Sequence, residues 1–456
     1  MKFNKTLLGA SVAIGLGVGT SVVYATNGMN LEGYGPVATG MGGASFAYDN
    51  GTAASMNNPA TLGLMEEGTS RFDLAIGFLG PDITTDYTPN GGSTMTADSE
   101  GTAYWMPAMG YVTKSGAFSY GIALYAQGGM GAKYEATEWE AAGSGKRVMS
   151  EVGVGRLILP LAFQMNDQLS LGASVDLVWV GMDLRMAVPA DQMVGMVTGA
   201  DAGWMVPLQG LGGCGAGCYG RFDFENSSDM KGEAFGYGFG GKLGLVYKVN
   251  DMFSVGATYH SKTRISDLET GDGKVHLSGG AMGHDPFFSD DGKITIHDFE
   301  WPTIYGVGIA FQPSDSLLLA FDVKRINWSE VMENFSMTYD SPTFGKLDVT
   351  MPQNWKDQTI YQLGASYKAT SQLTLRAGFN YGKNPVPDAT VNPLFPATVE
   401  KHYTVGAGYA FGDSQEVNFA FSYAPASKSE TTYADGSTQK IEHGQTNWQL
   451  MYSMKF

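Results

Sequence analysis

The sequence predicts an all-β chain: a 14-stranded antiparallel transmembrane β-barrel plugged by an N-terminal segment. Three observations predict it. Hydrophobicity alternates with period two through most of the chain, tight turns alternate with long loops, and the composition is poor in charge but rich in glycine and aromatics. Charged residues make up 16% of the 456, where an average soluble protein carries about 25%. A formal net charge of -17 excludes a basic nucleic-acid binder, because nothing would neutralise phosphates. A hydrophobic content of 43% argues against disorder.

The N-terminus supplies an address. Lys2 and Lys5 precede an apolar stretch from Leu7 to Val23, and Val23-Tyr24-Ala25 places small residues at a cleavage site. Residues 1–25 are read as a secretory signal peptide. No later stretch reaches the 18 apolar residues of a membrane helix. Cys214 and Cys218 would then meet an oxidising compartment, where they could close a small disulfide loop; free thiols are the alternative.

The strand period is clearest at Phe235, Tyr237, Phe239, Leu243, Leu245 and Tyr247, which alternate with Gly236, Gly238, Gly240, Lys242 and Gly244. Tyr305, Val307, Ile309 and Phe311 repeat the pattern, as do Leu373, Leu375, Ala377, Phe379 and Tyr381. Rings near strand ends, as at Tyr247, Tyr381, Tyr409 and Trp448, suit membrane interfaces. Gly236, Gly238 and Gly241 match a dinucleotide fingerprint, but no helix pattern follows and the strand period runs through them.

Tight turns fall near 114–116, 165–167, 249–251, 313–315, 369–371 and 412–414. Long loops fall near 80–100, 129–147, 188–231, 268–291, 339–347, 383–398 and 426–439. Six turns and seven loops imply 14 strands with both ends on the turn side. The last strand alternates Trp448, Leu450, Tyr452 and Met454 and ends on Phe456, which resembles the signal read by the outer-membrane assembly machinery. Fourteen strands leave a lumen too wide for side chains alone to fill. Residues 26–66 are nearly uncharged, lack strand alternation and contain Met, Ala, Tyr and Val; they are expected to plug the barrel formed by 67–456.

With these features the chain resembles the FadL-type family of outer-membrane transporters for long-chain fatty acids and other hydrophobic compounds. The resemblance rests on Asn58-Pro59-Ala60, the strand count, the run from Phe253 to Lys262, the run from Leu373 to Phe379, Pro385-Val386-Pro387 and the terminal Phe456. It implies a hatch in the lumen, capture of ligand in an apolar groove among the loops, hatch movement, and lateral release into the bilayer where the third strand kinks. It also implies the outer membrane of a Gram-negative bacterium as location.

Residues can be assigned to each step. The loop 188–231 holds Met193, Met196, Trp204 and Met205, an apolar set that either forms the groove or packs the loop onto the rim. In the third strand Gly128, Gly129 and Gly131 weaken pairing and permit a kink. Pro59 biases Asn58 toward an extended form, from which Asn58 would bond strand backbone exposed by that kink. Lys242, Lys324 and Arg376 have inward parity; they would contact a ligand headgroup or pair with lumenal acids such as Asp322. So few inward cations leave a neutral aromatic hydrocarbon as plausible a ligand as a fatty acid. Scattered histidines and the absence of GxSxG give no catalytic residues, no metal site and no cofactor. Expected partners are a hydrophobic small molecule, outer-membrane lipid and lipopolysaccharide, with the chain a monomer that binds no nucleic acid. A general diffusion porin and a structural or adhesive barrel are the other classes the pattern admits.

Overall fold

The computed structural model describes residues 27–226 and 231–456; the leader expected at 1–25 lies outside them. The wall strands are β1 (Ser70–Thr88), β2 (Tyr104–Ser115), β3 (Phe118–Tyr134), β4 (Val148–Gln164), β5 (Leu169–Pro189), β6 (Ala234–Lys248) and β7 (Phe253–His260). They continue as β8 (Ile304–Ser314), β9 (Leu317–Ile326), β10 (Gln358–Lys368), β11 (Leu373–Gly382), β12 (Lys401–Ala410), β13 (Gln415–Thr432) and β14 (Thr438–Lys455). Each pairs antiparallel with the next, and β14 pairs with β1 from Lys455↔Arg71 to Thr438↔Thr88. Closure removes the sheet edges that hydrocarbon would not tolerate. Ser70 and Phe456 exchange backbone hydrogen bonds of 2.8 and 3.0 Å, so both ends of the wall lie on the tight-turn side.

The count of 14 needs correction at the outer rim. The lower band closes through fourteen strands, but four more enter between β5 and β6 above it, so the rim circuit passes through eighteen. The cause is the length of β5. Its lower part pairs with β6 up to Met182↔Ala234, and from Leu184 onward it pairs instead with Cys218–Phe224. Val275–Ala281, Pro286–His297 and Leu268–Glu269 then lead back to β6. The loops read as irregular at 188–231 and 268–291 thus carry strands of their own. A hairpin of Asn334–Ser341 and Gly345–Pro352 extends the rim further.

Side chains follow the expected parity. Tyr237, Phe239, Leu243, Val307, Leu363 and Val405 are exposed on the outer face, while Asp322, Lys242, Asn380 and Asn418 face inward and are buried. Exposed Tyr247, Phe311, Tyr367 and Tyr409 mark the lower end of the wall, and Tyr305, Tyr361, Tyr403 and Tyr423 the upper. Such girdles sit where hydrocarbon meets water.

Residues 27–64 lie inside the ring as short helical turns, Pro36–Gly40, Gly51–Ala53, Ala54–Asn57 and Pro59–Leu64, and nearly all are buried. The segment bonds to the wall on several sides. Asp322 of β9 accepts from Ser45 N (2.6 Å) and Phe46 N (3.0 Å), Asp73 of β1 accepts from Thr52 N (2.8 Å), and Thr404 of β12 accepts from Gly42 N (3.0 Å). Near the turn side, Lys114 Nζ donates to Gly63 O and Met65 O, both at 2.7 Å. Small wall residues let the segment approach. A Cβ on Gly244 would collide with Asn58 Oδ1 and lie 3.0 Å from Ala60 N. Gly244→Leu is therefore expected to dislodge the segment and leave the wall folded. Planar-bilayer recordings should show a higher single-channel conductance than the parent, and equal conductance would mean that the lumen stays filled.

Candidate functional site

The third strand carries the main irregularity of the wall. β2 and β3 pair from Ser115↔Phe118 only as far as Met109↔Leu124. Above that level Tyr104–Ala108 remain paired with β1, and among the described wall strands Tyr125–Tyr134 pair with β4 and not with β2. The register of β3 on β4 shifts between Ala126 and Gly128, which leaves Gln127 as the extra residue of a bulge. The result is a gap in the ladder, with a cavity of about 30 Å³ lined by Leu31, Tyr34, Met106 and Tyr125, among others.

The N-terminal segment occupies the backbone freed there. Asn30 bridges to Gly128, and Gly129 N donates to Met29 O at 3.1 Å. A Cβ on Gly128 would collide with Met29 O, so glycine is required by the close approach. Of the glycines named for a kink, Gly128 and Gly129 lie next to this register shift and touch the N-terminal segment. Gly131 sits in ordinary register opposite Glu151, because the strand resumes after a single extra residue.

Asn58 does not bond the kinked strand. Its Nδ2 donates to Phe46 O (2.7 Å) and to Leu245 O of β6 (3.2 Å), and its Oδ1 accepts from Ala60 N (3.1 Å). The extended Asn58 caps the Pro59–Leu64 turn and pins it to β6. Asn58-Pro59-Ala60 lies against β5 and β6, and that position rules out the bond expected from sequence.

Gln127 is held from both sides. Tyr34 Oη lies 2.7 Å from Gln127 O and 2.9 Å from Asn30 Oδ1. Arg156 Nε donates to Gln127 Oε1, Arg156 Nη1 donates to Asp176 Oδ2 at 2.7 Å, and Lys242 pairs with the same carboxylate. Ser174 Oγ donates to Asp176 Oδ1 at 2.6 Å. Arg156 and Asp176 escaped the sequence reading. Their inward parity was available, but their partners lie on three different strands.

The proposed headgroup cations are dispersed. Lys242 is committed to Asp176. Lys324 shares a small cavity with Glu32, His260 and Gln362. Arg376 lies near the turn side, where Nη1 donates to Asn418 Oδ1 at 2.9 Å. Asp322 serves the N-terminal segment through Ser45 and Phe46.

Above the segment an apolar core fills the outer part of the molecule. Trp301, Trp328 and Trp355 form a ladder of edge-to-face rings with centroids 5.6 and 5.3 Å apart. Trp328 stands over Gly28, and Trp301 stands against Gly128. Their three indole N–H groups have no hydrogen-bond partner among the described residues. Met29, Phe299, Phe335 and Phe395 belong to the same core. The residues assigned to the loop groove split between core and surface. Met193, on the short helix Ala190–Met196, is buried, and Met196 packs partly against the core. Trp204 is buried against Phe344 at 4.9 Å, and Met205 is 70% exposed. Cys214 and Cys218 are joined by a disulfide at the end of the helix Met205–Cys214.

A closed wall with aromatic girdles, a filled lumen and a gapped third strand defines an outer-membrane transport barrel. The chain belongs to the outer membrane protein transport protein family (OMPP1/FadL/TodX), whose model matches residues 20–455. The members of this family are outer-membrane channels for hydrophobic compounds rather than enzymes, and the protein resides in the outer membrane of a Gram-negative bacterium. The P. putida toluene transporter TodX superposes with a TM-score of 0.82 at 30% identity, covering 94% of this chain and 99% of that one. The long-chain fatty acid transport protein of Escherichia coli (strain K12) is 22% identical over 92% of each chain. An uncharacterised Chlorobium limicola protein is 50% identical over 90 residues, which are 20% of this chain and 43% of its own length.

Removing Arg156 leaves the bulge without its clamp. Arg156→Met is expected to cost about 3–5 kcal/mol, as for breaking a buried ion pair, read by urea unfolding from lipid vesicles. Amide exchange at Met29 and Asn30 should accelerate with it. An unchanged midpoint and unchanged exchange would show that Lys242 alone secures Asp176 and that Gln127 needs no clamp.

Proposed function

We propose that the protein takes up uncharged hydrophobic small molecules of aromatic-hydrocarbon size. The ligand enters through the apolar core above the N-terminal segment. That segment acts as a hatch, and its withdrawal from β3 frees a path through the β2–β3 gap into the outer leaflet. The tryptophan ladder Trp301–Trp328–Trp355 carries this reading. It ends directly over Met29 and the bulge, and its unpaired indole N–H groups can point at the π-face of an aromatic ring. Lateral release suits such a ligand, because it never recrosses water. The likeness to the toluene transporter TodX supports the same ligand class.

The buried polar cluster favours a second reading for part of the substrate range. Arg156 and Lys242 share the single carboxylate of Asp176, and this leaves a positive excess that a fatty carboxylate would neutralise. Against it, Lys242 and Arg156 are already fully engaged, and displacing either would break a buried pair. A diffusion porin is disfavoured by the segment that fills the ring.

Trp328→Ala is the discriminating variant. Cells making it should take up radiolabelled toluene several times more slowly than the parent, with unchanged surface abundance and heat-modifiability. Full toluene uptake in Trp328→Ala, or uptake of oleate but not toluene by the parent, would overturn the aromatic-hydrocarbon assignment.

A further inference from the structure

The outer surface has a second feature unrelated to the lumen. Where β11 and β12 end and β13 continues upward, a notch of about 710 Å³ opens between the tops of β10, β11, β12 and β13. Four lysines line it: Lys356, Lys383, Lys401 and Lys428. All four are exposed. In a chain with 28 basic and 45 acidic residues, four lysines in one depression are a local inversion of charge.

Their height in the wall is set by register. Tyr361 pairs with Tyr381, and Tyr403 pairs with Tyr423. These rings form the upper girdle of this flank, so they mark the outer interface. Lys401 lies two residues above Tyr403 on β12, and Lys383 two residues past Tyr381, one beyond the upper end of β11. Two strand residues rise about 6–7 Å, which places the ammonium groups just above the rings, at headgroup depth. On β13 a shift of register between Ala424 and Ser427 reverses the parity. Tyr423 below it and Lys428 above it are consequently both exposed.

Three carboxylates share the notch: Asp357, Asp388 and Glu400. Two are already engaged. Asp357 accepts from Arg325 (3.0 Å) and Ser329 Oγ (2.7 Å), and Glu400 Oε1 accepts from Asn384 N (3.0 Å). Lys428 pairs with Glu442 at 2.8 Å. Lys356, Lys383 and Lys401 form no ion pair among the described residues.

We propose that this notch binds the phosphate of a phosphorylated outer-leaflet glycolipid, with Lys356, Lys383 and Lys401 on the phosphate and the acyl chains lying along the girdle and the apolar wall below. Ammonium groups at headgroup depth attract anionic lipid, and the exposed tyrosines give its chains an apolar surface. The site fixes one flank of an otherwise acidic barrel in an anionic leaflet.

Native mass spectrometry of the detergent-solubilised full chain tests it, with bis-phosphorylated lipid A as probe. The parent should retain lipid A, and the dephosphorylated form should bind more than about tenfold more weakly. The triple variant Lys356→Gln, Lys383→Gln, Lys401→Gln should lose a similar factor. A charge-matched control, Lys146→Gln, Lys274→Gln, Lys346→Gln, should bind as the parent does, and heat-modifiability reports folding of both. Equal retention by the two triple variants would overturn the proposal, as would equal binding of the two lipid forms. Displacement of lipid A by inorganic phosphate alone would assign the notch to the free ion and also overturn it.

Discussion

Backbone hydrogen bonding in hydrocarbon governs this molecule. Every N–H and C=O of a membrane wall needs a partner, and a partnerless group costs several kcal/mol. The ring meets that demand by closing β14 on β1. It fails to meet it between β2 and β3 above Met109↔Leu124. The N-terminal segment repairs part of that failure through Met29 and Asn30. The place where the wall is weakest is thus the place where the N-terminal segment is attached, so in the proposed function movement of that segment changes how well the wall is sealed.

Charge is arranged around the same constraint. Between the girdles the outer face of the wall is apolar, and the charged residues there turn inward, where Arg156 and Lys242 share the carboxylate of Asp176 across three strands. That cluster grips Gln127, the extra residue of the bulge. A polar group that would burden a soluble core thereby holds an irregular backbone in one geometry, and Tyr34 links that geometry to the N-terminal segment. Above this level polar groups give way to the tryptophan ladder and its apolar surroundings.

Much of this was legible in the sequence. Period two separated Lys242 and Asp322 from Leu243 and Phe321, and the turn residues located the lower edge. The glycines Gly128 and Gly129 drew attention to a stretch that pairs weakly for want of side chains, and the register shift falls beside them. The rim was not legible. Residues 188–231 and 268–291 read as loops because their strands are short and pair with segments far away in sequence, such as Leu184 with Phe224. Apolar content alone could not separate Met193 and Trp204, which pack inward, from Met205, which does not. The partner of Asn58 was misjudged for a similar reason: sequence shows that a side chain wants a backbone oxygen but not which strand supplies it. Tryptophans 301, 328 and 355 lie in segments without clean periodicity, and only the folded chain stacks them.

In the proposed function, ligand leaves sideways through the β2–β3 gap. Cysteines at Ala108 and Tyr125, the positions that would continue the β2–β3 register beyond Met109↔Leu124, allow the gap to be closed by a short cleavable thiol cross-linker in a chain whose Cys214–Cys218 disulfide is left intact. The measurement is toluene uptake by cells bearing this variant, before cross-linking, after it, and after cleavage. The account predicts uptake that is lost on cross-linking and returns on cleavage. Undiminished uptake with the gap bridged would contradict it and point to a path straight through the barrel.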